Sequence, residues 1–296
     1  SRPNPCSDFV YDTKTPSISF TPTASNKNPA ADSYRNSGFK LEVDASDTYG
    51  IASGGVTLSY EGLSTPIELT QNTDGKYEKA FVVGSTNTSA SNYLADGSYS
   101  FTITVEDLSG KTSSVTRSFS IDTTAPVIDM TNTSVTRGAD YTASNIGWHK
   151  TNQIPVSVSV SDSGAGIGAV QVSTDTGFTN PTNLMQSESG SWTGTIVCGA
   201  QGANTIYIKA TDAVGNATNV VTANSLTVYI DTTPPADPIF LGISTGSGDS
   251  LTATPASQIT SVLVNKTVPV TVYAALVDDG NSSTWTGIRA EAPTTS

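Results

Sequence analysis

Positive charge is scarce in this chain of 296 residues. Lys and Arg number 14 against 26 Asp and Glu, which leaves a formal net charge of −12 and a pI near 4.3. A protein that binds the phosphate backbone of a nucleic acid needs a basic face to neutralise it. The composition therefore argues against a nucleic-acid partner, whereas divalent cations are compatible with it.

Cysteine, histidine and long apolar segments are limited as well. Cys6 and Cys198 lie far apart in the sequence, which indicates neither a disulfide framework nor a zinc ligand set. His149 is the single histidine, and no apolar run approaches the roughly 18 residues that a membrane-spanning helix requires. The sequence thus predicts no transmembrane segment, and it leaves the redox compartment open.

Hydroxyl side chains are abundant where charged ones are few. The chain has 40 Ser and 45 Thr, whereas charged residues make up 14% and apolar residues 36%. Apolar residues alternate with polar ones in short segments rich in Val, Ile, Thr, Tyr and Phe, and Gly, Asn, Asp and Pro separate these segments. Alternation with a period of two is typical of half-buried strands, and no segment keeps a helical period. We predict an all-β fold.

A repeat organises the chain. The tetrapeptide Ile-Asp-Thr-Thr occurs at 121–124 and again at 230–233 with proline close behind, and a divergent copy, Tyr-Asp-Thr-Lys-Thr-Pro, occupies 11–16. The aspartates of successive copies are 110 and 109 residues apart. This interval is the length of one immunoglobulin-like (Ig-like) sandwich.

Each interval contains about seven predicted strands, which is the Ig-type number. They lie near 16–22, 38–47, 55–61, 65–70, 76–83, 98–107 and 112–122 in the first interval, and near 126–133, 154–162, 167–174, 182–187, 191–198, 204–212 and 221–231 in the second. We therefore predict tandem Ig-like antiparallel β-sandwiches arranged end to end. The predicted units are the tail of an upstream repeat at 1–12, domains at 13–122 and 123–231, and a partial third domain at 232–296.

Both ends of the chain lead us to expect a slice of a longer array. The sequence opens on Ser1 rather than Met, and its first residues match the last strand of a preceding repeat. The segment 232–296 is too short for a complete third sandwich, since it has room only for strands near 239–241 and 268–273 and one more. Completion of that sandwich by a strand from a neighbouring molecule is the alternative.

Three segments carry a resemblance to a known class of domain. The linker at 122–126, the Asp-Ser-Gly-Ala-Gly-Ile turn at 162–167 and the Asp-Ala-Val-Gly-Asn turn at 212–216 resemble tandem bacterial Ig-like domains of large surface adhesins and other secreted multidomain proteins. The resemblance implies an extracellular protein. It says more about fold than about activity, because this module is reused in stalks, adhesive tips and accessory domains of exported enzymes.

Aspartates are the candidate metal ligands. In an Ig-type sandwich the turns after the second and sixth strands lie at one end, where the preceding linker also enters. This topology would gather three sets: Asp12 with Asp44 or Asp47 and Asp107; Asp122, Asp162 and Asp212; and Asp231 with Asp278 or Asp279. Converging carboxylates repel one another, and calcium, which takes six to eight oxygen ligands, relieves that conflict. Calcium at the junctions is also what a resemblance to calcium-stiffened adhesin repeats implies. The alternative is that these aspartates only cap turns.

No catalytic arrangement is evident in the sequence. Two Asp-Ser/Thr-Gly matches, at 162–164 and 175–177, lie too close together in one sandwich to form the paired loops of an aspartic protease. A Ser-His-Asp site would need His149, and no serine has a nucleophile-elbow context. Trp148, Trp192 and Trp285 would suit sugar stacking, with core packing as the alternative.

We expect a non-enzymatic stalk or adhesive segment of a bacterial surface protein, located outside the cell or at its surface and monomeric as a fragment. A host or matrix protein or a glycan is the expected partner. The alternatives are a glycan- or protein-binding accessory module of an exported enzyme, and a filament subunit completed by strand exchange. Binding by one domain alone would favour the former, and self-association would favour the latter.

Overall fold

The structure is a computed structural model that describes the chain in segments. They are 11–20, 28–84, 92–135, 148–199, 201–234, 239–245, 254–255 and 270–275, with side chains up to residue 234. Within these segments the chain forms β-strands and one single-turn 3₁₀ helix, Thr222–Asn224. No helix in the described segments has the length and apolarity needed to cross a membrane.

The first sandwich lies between residues 17 and 121. Its described strands are β1 (Ser17–Ser19), β2 (Tyr34–Arg35), β3 (Phe39–Ser46), β4 (Ile51–Ser59), β5 (Ile67–Glu68), β6 (Thr70–Gln71), β7 (Tyr77–Gly84), β8 (Tyr93–Ala95), β9 (Gly97–Asp107) and β10 (Thr112–Ile121). One sheet has the order β1-β3-β7-β6 with β8 beside β7, and the facing sheet has the order β2-β10-β9-β4-β5. The strands pair antiparallel except for β8 with β7 and β2 with β10.

Aromatic rings fill the space between these two sheets. Phe101 is fully buried, and its ring centroid lies 4.8 Å from that of Phe119 and 5.3 Å from that of Phe81. Phe39 stacks on Phe81, and Tyr60 stacks on Phe101. Burying one such side chain contributes about 1.5–3 kcal/mol to folding. The alternation that predicted the strands therefore also supplies the core.

The second sandwich repeats this topology between residues 127 and 230. Its described strands are β11 (Val127–Val135), β12 (Trp148–His149), β13 (Gln153–Ser161), β14 (Ile167–Ser173), β15 (Thr182–Asn183), β16 (Met185–Gln186), β17 (Trp192–Val197), β18 (Gly202–Asp212) and β19 (Ser225–Ile230). The sheets have the orders β11-β13-β17-β16 and β12-β19-β18-β14-β15.

The second core is aliphatic rather than aromatic. Ile154, Val158, Ile206 and Ile208 are fully buried between its sheets, and Trp192 packs against them from the side. The Cys198 thiol is also buried there and is not in a disulfide, and burial raises its pKa. A buried, protonated thiol of this kind packs as a small apolar side chain. Cys6 lies outside the described residues.

One predicted strand in each repeat changes sheets partway. In the first sandwich β5 pairs with β4, whereas β6 pairs with β7 of the opposite sheet. In the second, β15 and β16 divide in the same way between β14 and β17. Leu69 and Leu184 sit at the two crossing points and are buried, with 3% and 4% of their surface exposed. The crossing leucine anchors the switch in the core of each sandwich.

The end of the second repeat differs from the sequence prediction. A strand was expected over 221–231, but β19 starts only at Ser225 because the preceding residues form the 3₁₀ turn, closed by a 2.9 Å hydrogen bond from Asn224 N to Val221 O. The short strands β2, β8 and β12 were not predicted. Two or three residues are too few to carry a periodic signal.

A third sheet follows in the C-terminal part of the chain. It consists of β20 (Ile239–Thr245), β21 (Thr254–Pro255) and β22 (Val270–Ala275), in the antiparallel order β21-β20-β22. It agrees with the strands expected near 239–241 and 268–273. The predicted domain boundaries themselves stay a prediction.

We expect the buried His149 to make the second sandwich sensitive to mild acid. The side chain is 5% exposed, its Nε2 has no hydrogen-bond partner within the described part of the chain, and burial lowers its pKa below the ordinary 6.5. The unfolded chain therefore takes up a proton at His149 before the folded chain does, and stability falls as the pH drops from about 6.5 towards 5. Asp129 and Asp175 have pKa values that are lowered by hydrogen bonds, so their protonation reduces stability only at lower pH.

We expect denaturant unfolding of this sandwich to require less urea at pH 5 than at neutral pH, and His149→Leu to flatten that dependence. The measurement is the fluorescence of Trp148 and Trp192 in a Trp285→Phe background. An unchanged pH profile in His149→Leu would assign the effect to the carboxylates instead.

Candidate metal centre

Three carboxylates converge at one end of the first sandwich. Asp12 precedes β1, Asp47 follows β3, and Asp107 is the last residue of β9. One oxygen of each lies within 4.8 Å of an oxygen of the other two. We call this group the Asp107 cluster.

Asp107 has one satisfied oxygen and one unsatisfied oxygen. Its Oδ1 accepts hydrogen bonds from Ser109 N at 2.7 Å, Ser109 Oγ at 2.7 Å and Lys111 N at 3.0 Å. These bonds form because the chain turns tightly at Gly110, whose φ of +84° suits glycine. Its Oδ2 is buried and has no hydrogen-bond partner among the residues that the structure describes, and Asp107 as a whole is only 1% exposed. A buried carboxylate oxygen without a partner is costly, so Oδ2 marks a place for a ligand.

The half-buried Asp12 and the buried Asp107 have lowered pKa values, which keep them ionised at neutral pH. Burial raises the pKa of Asp107, but the hydrogen bonds from Ser109 and Lys111 outweigh it and hold the pKa below its ordinary value. A backbone hydrogen bond from Lys14 N is the main cause of a lowered pKa at Asp12. The Lys111 ammonium lies 3.4 Å from Asp12 Oδ2 and supplies a partial counter-charge.

A second set of carboxylates converges where the two sandwiches meet. Asp122 follows β10, Asp162 follows β13, and Asp212 is the last residue of β18. Their nearest oxygens again lie within 4.8 Å of one another, and Asp122 and Asp212 are 3% and 4% exposed. We call this group the Asp212 cluster. Within the described segments no Lys or Arg forms an ion pair with it.

Backbone amides satisfy the carboxylates of the Asp212 cluster. Asp212 Oδ1 accepts from the amides of residues 214, 215 and 216 at 2.9, 2.6 and 2.8 Å. Asp162 Oδ2 accepts from Gly164 N and Gly166 N, both at 2.9 Å. Asp122 Oδ2 accepts from Ala165 N at 2.6 Å, and a Cβ at Gly164 would come within 2.2 Å of that oxygen. Glycine at 164 is therefore required for Asp122 to approach this turn.

The structure groups six of the ten aspartates predicted as ligands. It selects Asp47 rather than Asp44, because alternation along β3 places Asp44 on the outer face, where its carboxylate lies 3.4 Å from Lys76 Nζ. Asp231 occupies the same position relative to its sandwich as Asp122: its amide donates to His149 O at 2.9 Å, as that of Asp122 does to Arg35 O at 2.8 Å. Asp278 and Asp279 lie outside the described residues.

Asparagines that the sequence analysis did not single out connect the two sandwiches. Asn36, in the first, donates from Nδ2 to Val214 O at 2.6 Å, and Asn216, in the second, donates from Nδ2 to Asp122 O at 2.9 Å. Asn216 also donates to Asp212 Oδ2 at 2.6 Å. The position of Asn216 directly after the Asp-x-x-Gly turn was the available sequence signal, whereas Asn36 had none.

Side chains also hold the Asp-Thr-Thr linkers that follow each sandwich. Asp96 Oδ1 accepts from Thr123 N at 2.9 Å and from Thr123 Oγ1 at 2.8 Å, and its Oδ2 accepts from Thr124 Oγ1 at 2.6 Å. Gln201 does the equivalent in the next repeat, where its Oε1 accepts from Thr232 N at 3.1 Å. These bonds give a physical reason for the recurrence of Asp-Thr-Thr at both exits.

Asp175 and Trp148, which the sequence offered for catalysis and for sugar stacking, make contacts within their own sandwich. Asp175 accepts hydrogen bonds within its own turn, from Ser173 Oγ at 3.0 Å and from Thr179 N at 3.4 Å. Trp148 packs against Tyr229, with 5.2 Å between ring centroids. Trp285 lies outside the described residues.

No protein family and no curated protein matches the sequence. Among solved structures, the chain is similar to the fibronectin(III)-like modules of Clostridium thermocellum CbhA, at 11% identity over 72% of this chain and 94% of that one, with a TM-score of 0.34. It is also similar to a tetra-tandem repeat from the extending region of a large adhesion protein (18% identity, 80% of this chain, 52% of that one, TM-score 0.28). A third similar structure is that of a 1.5-MDa bacterial ice-binding adhesin (17% identity, 71% of this chain, 62% of that one, TM-score 0.34).

All three TM-scores are below 0.5. The prediction of all-β, tandem Ig-like sandwiches is confirmed by the strands and sheet orders of the structure itself. The chain spans about half to two thirds of the length of the two adhesin structures.

Proposed function

We propose that the chain is a non-enzymatic spacer or adhesive segment of an exported bacterial surface protein. Its tandem sandwiches hold a distal region away from the cell, and calcium binds at the Asp107 and Asp212 clusters. The observation that carries the calcium proposal is the buried Asp107 Oδ2. It has no hydrogen-bond partner in the described chain, and its carboxylate is one of the three that converge in the Asp107 cluster.

The donor set of the Asp107 cluster fits a hard cation. Asp12, Asp47 and Asp107 offer only oxygen atoms, and lowered pKa values at Asp12 and Asp107 keep them anionic at neutral pH. Calcium prefers such ligands and tolerates irregular geometry, and water completes its coordination. Lys111 competes with it for Asp12. When bound, the ion neutralises the converging charges and ties the incoming chain before β1 to the turn after β9.

The Asp212 cluster would add stiffness to a junction that already has direct bonds. Asn36 and Asn216 bridge the sandwiches, Asp122 inserts at Gly164, and Asp96 holds the linker. A spacer benefits from such contacts because each removes freedom between adjacent units. The proline that follows the linker restricts the backbone further.

The Asn36→Ala/Asn216→Ala double variant is expected to loosen the junction. Each hydrogen bond contributes about 1 kcal/mol net, so removing both shifts the balance towards independent motion of the units. ¹⁵N relaxation should give one shared rotational correlation time for the two sandwiches in the native chain and shorter, separate times in the double variant.

Asn219→Ala is the matched control, because the Asn219 side chain is exposed and makes no bond across the junction. Separate correlation times in the native chain itself, with and without calcium, would contradict the stiff-spacer proposal. Light scattering on the same samples tests the alternative of a filament subunit. Such a subunit would associate, whereas a spacer segment stays monomeric.

A further inference from the structure

An open groove crosses the outer face of the β2-β10-β9-β4-β5 sheet in the first sandwich. Its volume is about 450 Å³, within the range of small-ligand sites. Its floor is formed by Ser98 and Ser100 of β9 and by Ser118 and Ser120 of β10. Register pairs Ser98 with Ser120 and Ser100 with Ser118. Strand alternation turns their neighbour Phe119 into the core, so the four hydroxyls face outward together.

Larger side chains line the groove on either side of this floor. Tyr34 of β2 pairs in register with Ser120, and its side chain is 45% exposed. Glu61 comes from the turn after β4, on the opposite flank. Asp32 is held beside β10 by a 2.8 Å hydrogen bond from its amide to Ser118 O.

The charge and hydrogen-bonding character of the lining restrict the ligand class. Among the residues that the structure describes, two carboxylates and no Lys or Arg line the groove, so it repels phosphate, sulfate and acidic sugars. Serine hydroxyls both donate and accept hydrogen bonds, and a hydroxyl-rich ligand can satisfy both roles. An ammonium group can only donate hydrogen bonds, so it would leave the donor capacity of the serine hydroxyls unused. The tyrosine ring adds a rigid, partly apolar surface on which the C–H face of a sugar ring can pack.

At the equivalent place in the second sandwich, the described residues carry larger side chains. Trp148 of β12 corresponds to Tyr34, but its partner in register is Tyr229 where the first sandwich has Ser120. The Trp148 and Tyr229 rings pack against each other, with 5.2 Å between their centroids. The two sandwiches share a topology, and Ser120 of the first is the small residue at the register position that Tyr229 holds in the second.

We propose that this groove of the first sandwich binds a neutral oligosaccharide. Tyr34 provides the stacking surface, the four serines hydrogen-bond the hydroxyls of one face, and Asp32 and Glu61 accept hydrogen bonds from hydroxyls at the rim. The proposal does not rest on calcium, because none of these residues belongs to either aspartate cluster. It assigns the adhesive contact to one sandwich, whereas the spacer function belongs to the array.

NMR titration of the ¹⁵N-labelled 296-residue chain tests this proposal. The probes are cellohexaose, maltohexaose, mannohexaose and xylohexaose at millimolar concentration, with a galacturonic acid hexamer and a hexalysine peptide as charged comparisons. At least one neutral hexamer should shift the amides of Ser98, Ser100, Ser118 and Ser120. The acidic hexamer should leave them unchanged, and both results should be the same in chelator and in calcium.

Two variants localise the binding. Tyr34→Ala should weaken it about tenfold, with Tyr34→Phe close to the native chain. Ser120→Tyr should abolish it, because it places in the groove the side chain that Tyr229 carries at the equivalent register position of the second sandwich. Tyr49→Ala is the matched control, since Tyr49 is a similarly exposed tyrosine in a turn outside the groove. Unchanged melting curves confirm that the variants fold.

The proposal is overturned by any of three results. They are the absence of shifts with every neutral hexamer, binding that survives Ser120→Tyr in a folded variant, and binding of the lysine peptide alone. The last would assign the two carboxylates to a cationic ligand.

Discussion

Calcium added to the chelated chain is expected to raise the melting temperature of the first sandwich by about 10 °C at saturation. The ion binds only the folded arrangement, in which Asp12, Asp47 and Asp107 stand together, so its binding free energy adds to the free energy of unfolding. The effect is large because the ion both neutralises converging charges and satisfies the buried Asp107 Oδ2. Calorimetry measures the shift, and peptide-resolved hydrogen exchange identifies the sandwich that responds.

Asp107→Asn should abolish the calcium-dependent shift in the first sandwich. The amide retains an oxygen that can accept the turn hydrogen bonds at Ser109 and Lys111, so the variant removes charge while preserving the turn. Asp74→Asn, in the exposed turn between β6 and β7, makes the same change in net charge without touching the cluster. Asp212→Asn tests the second cluster in the same way.

A second substitution removes a competing cation instead of a ligand. Lys111→Gln should strengthen calcium binding, because it removes the ammonium that now lies 3.4 Å from Asp12 Oδ2. Magnesium should have a smaller effect than calcium, since it gives up its water ligands reluctantly. If calcium raised the melting temperature of the native chain, of Asp107→Asn and of Asp74→Asn equally, the clustered aspartates would be turn caps and not ligands.

Phe101→Ala is expected to lower the free energy of unfolding of the first sandwich by about 3–5 kcal/mol. Phe101 is fully buried, and its ring contacts those of Phe81, Phe119 and Tyr60, so truncation leaves a cavity that these rigid rings cannot readily fill. The second sandwich has a separate core and should keep its stability within about 0.5 kcal/mol. Urea unfolding monitored by peptide-resolved hydrogen exchange measures both.

Val82→Ala is the control for this truncation, because Val82 is 55% exposed on β7 and its loss should cost less than about 1 kcal/mol. Equal destabilisation of both sandwiches by Phe101→Ala would contradict the independence of the two cores. In that case the junction bonds at Asn36 and Asn216 would couple the sandwiches into one cooperative unit.

The strands could be predicted from sequence because the signal is local. In β3, β9, β13 and β18 the apolar residues alternate with polar ones, and the observed bounds agree with the predicted ones to within a few residues. The strand that crosses between sheets at Leu69 was predicted as a single element. The sequence around that leucine is continuous, and the division appears only when its two halves find different partners.

The aspartate clusters could be predicted only in part. The repeat placed Asp122, Asp162 and Asp212 at one sandwich end, and the structure brings their oxygens within 4.8 Å. The choice between Asp44 and Asp47 required the end of β3, because one residue of register decides which carboxylate faces the cluster. Calcium binding at the two clusters stays a prediction.

An alternating pattern and a repeat of 109 to 110 residues were enough to establish an all-β chain of Ig-like sandwiches, because both properties follow from the order of residues along the chain. Tertiary structure decided everything that depends on residues distant in sequence. It left Asp107 Oδ2 without a hydrogen-bond partner in the described part of the chain, joined Asn36 to Val214, and placed Tyr34, Glu61 and Ser120 around one groove. Each of these sites exists only where separate strands and turns meet, and strand pairing across the sheet sets those distances.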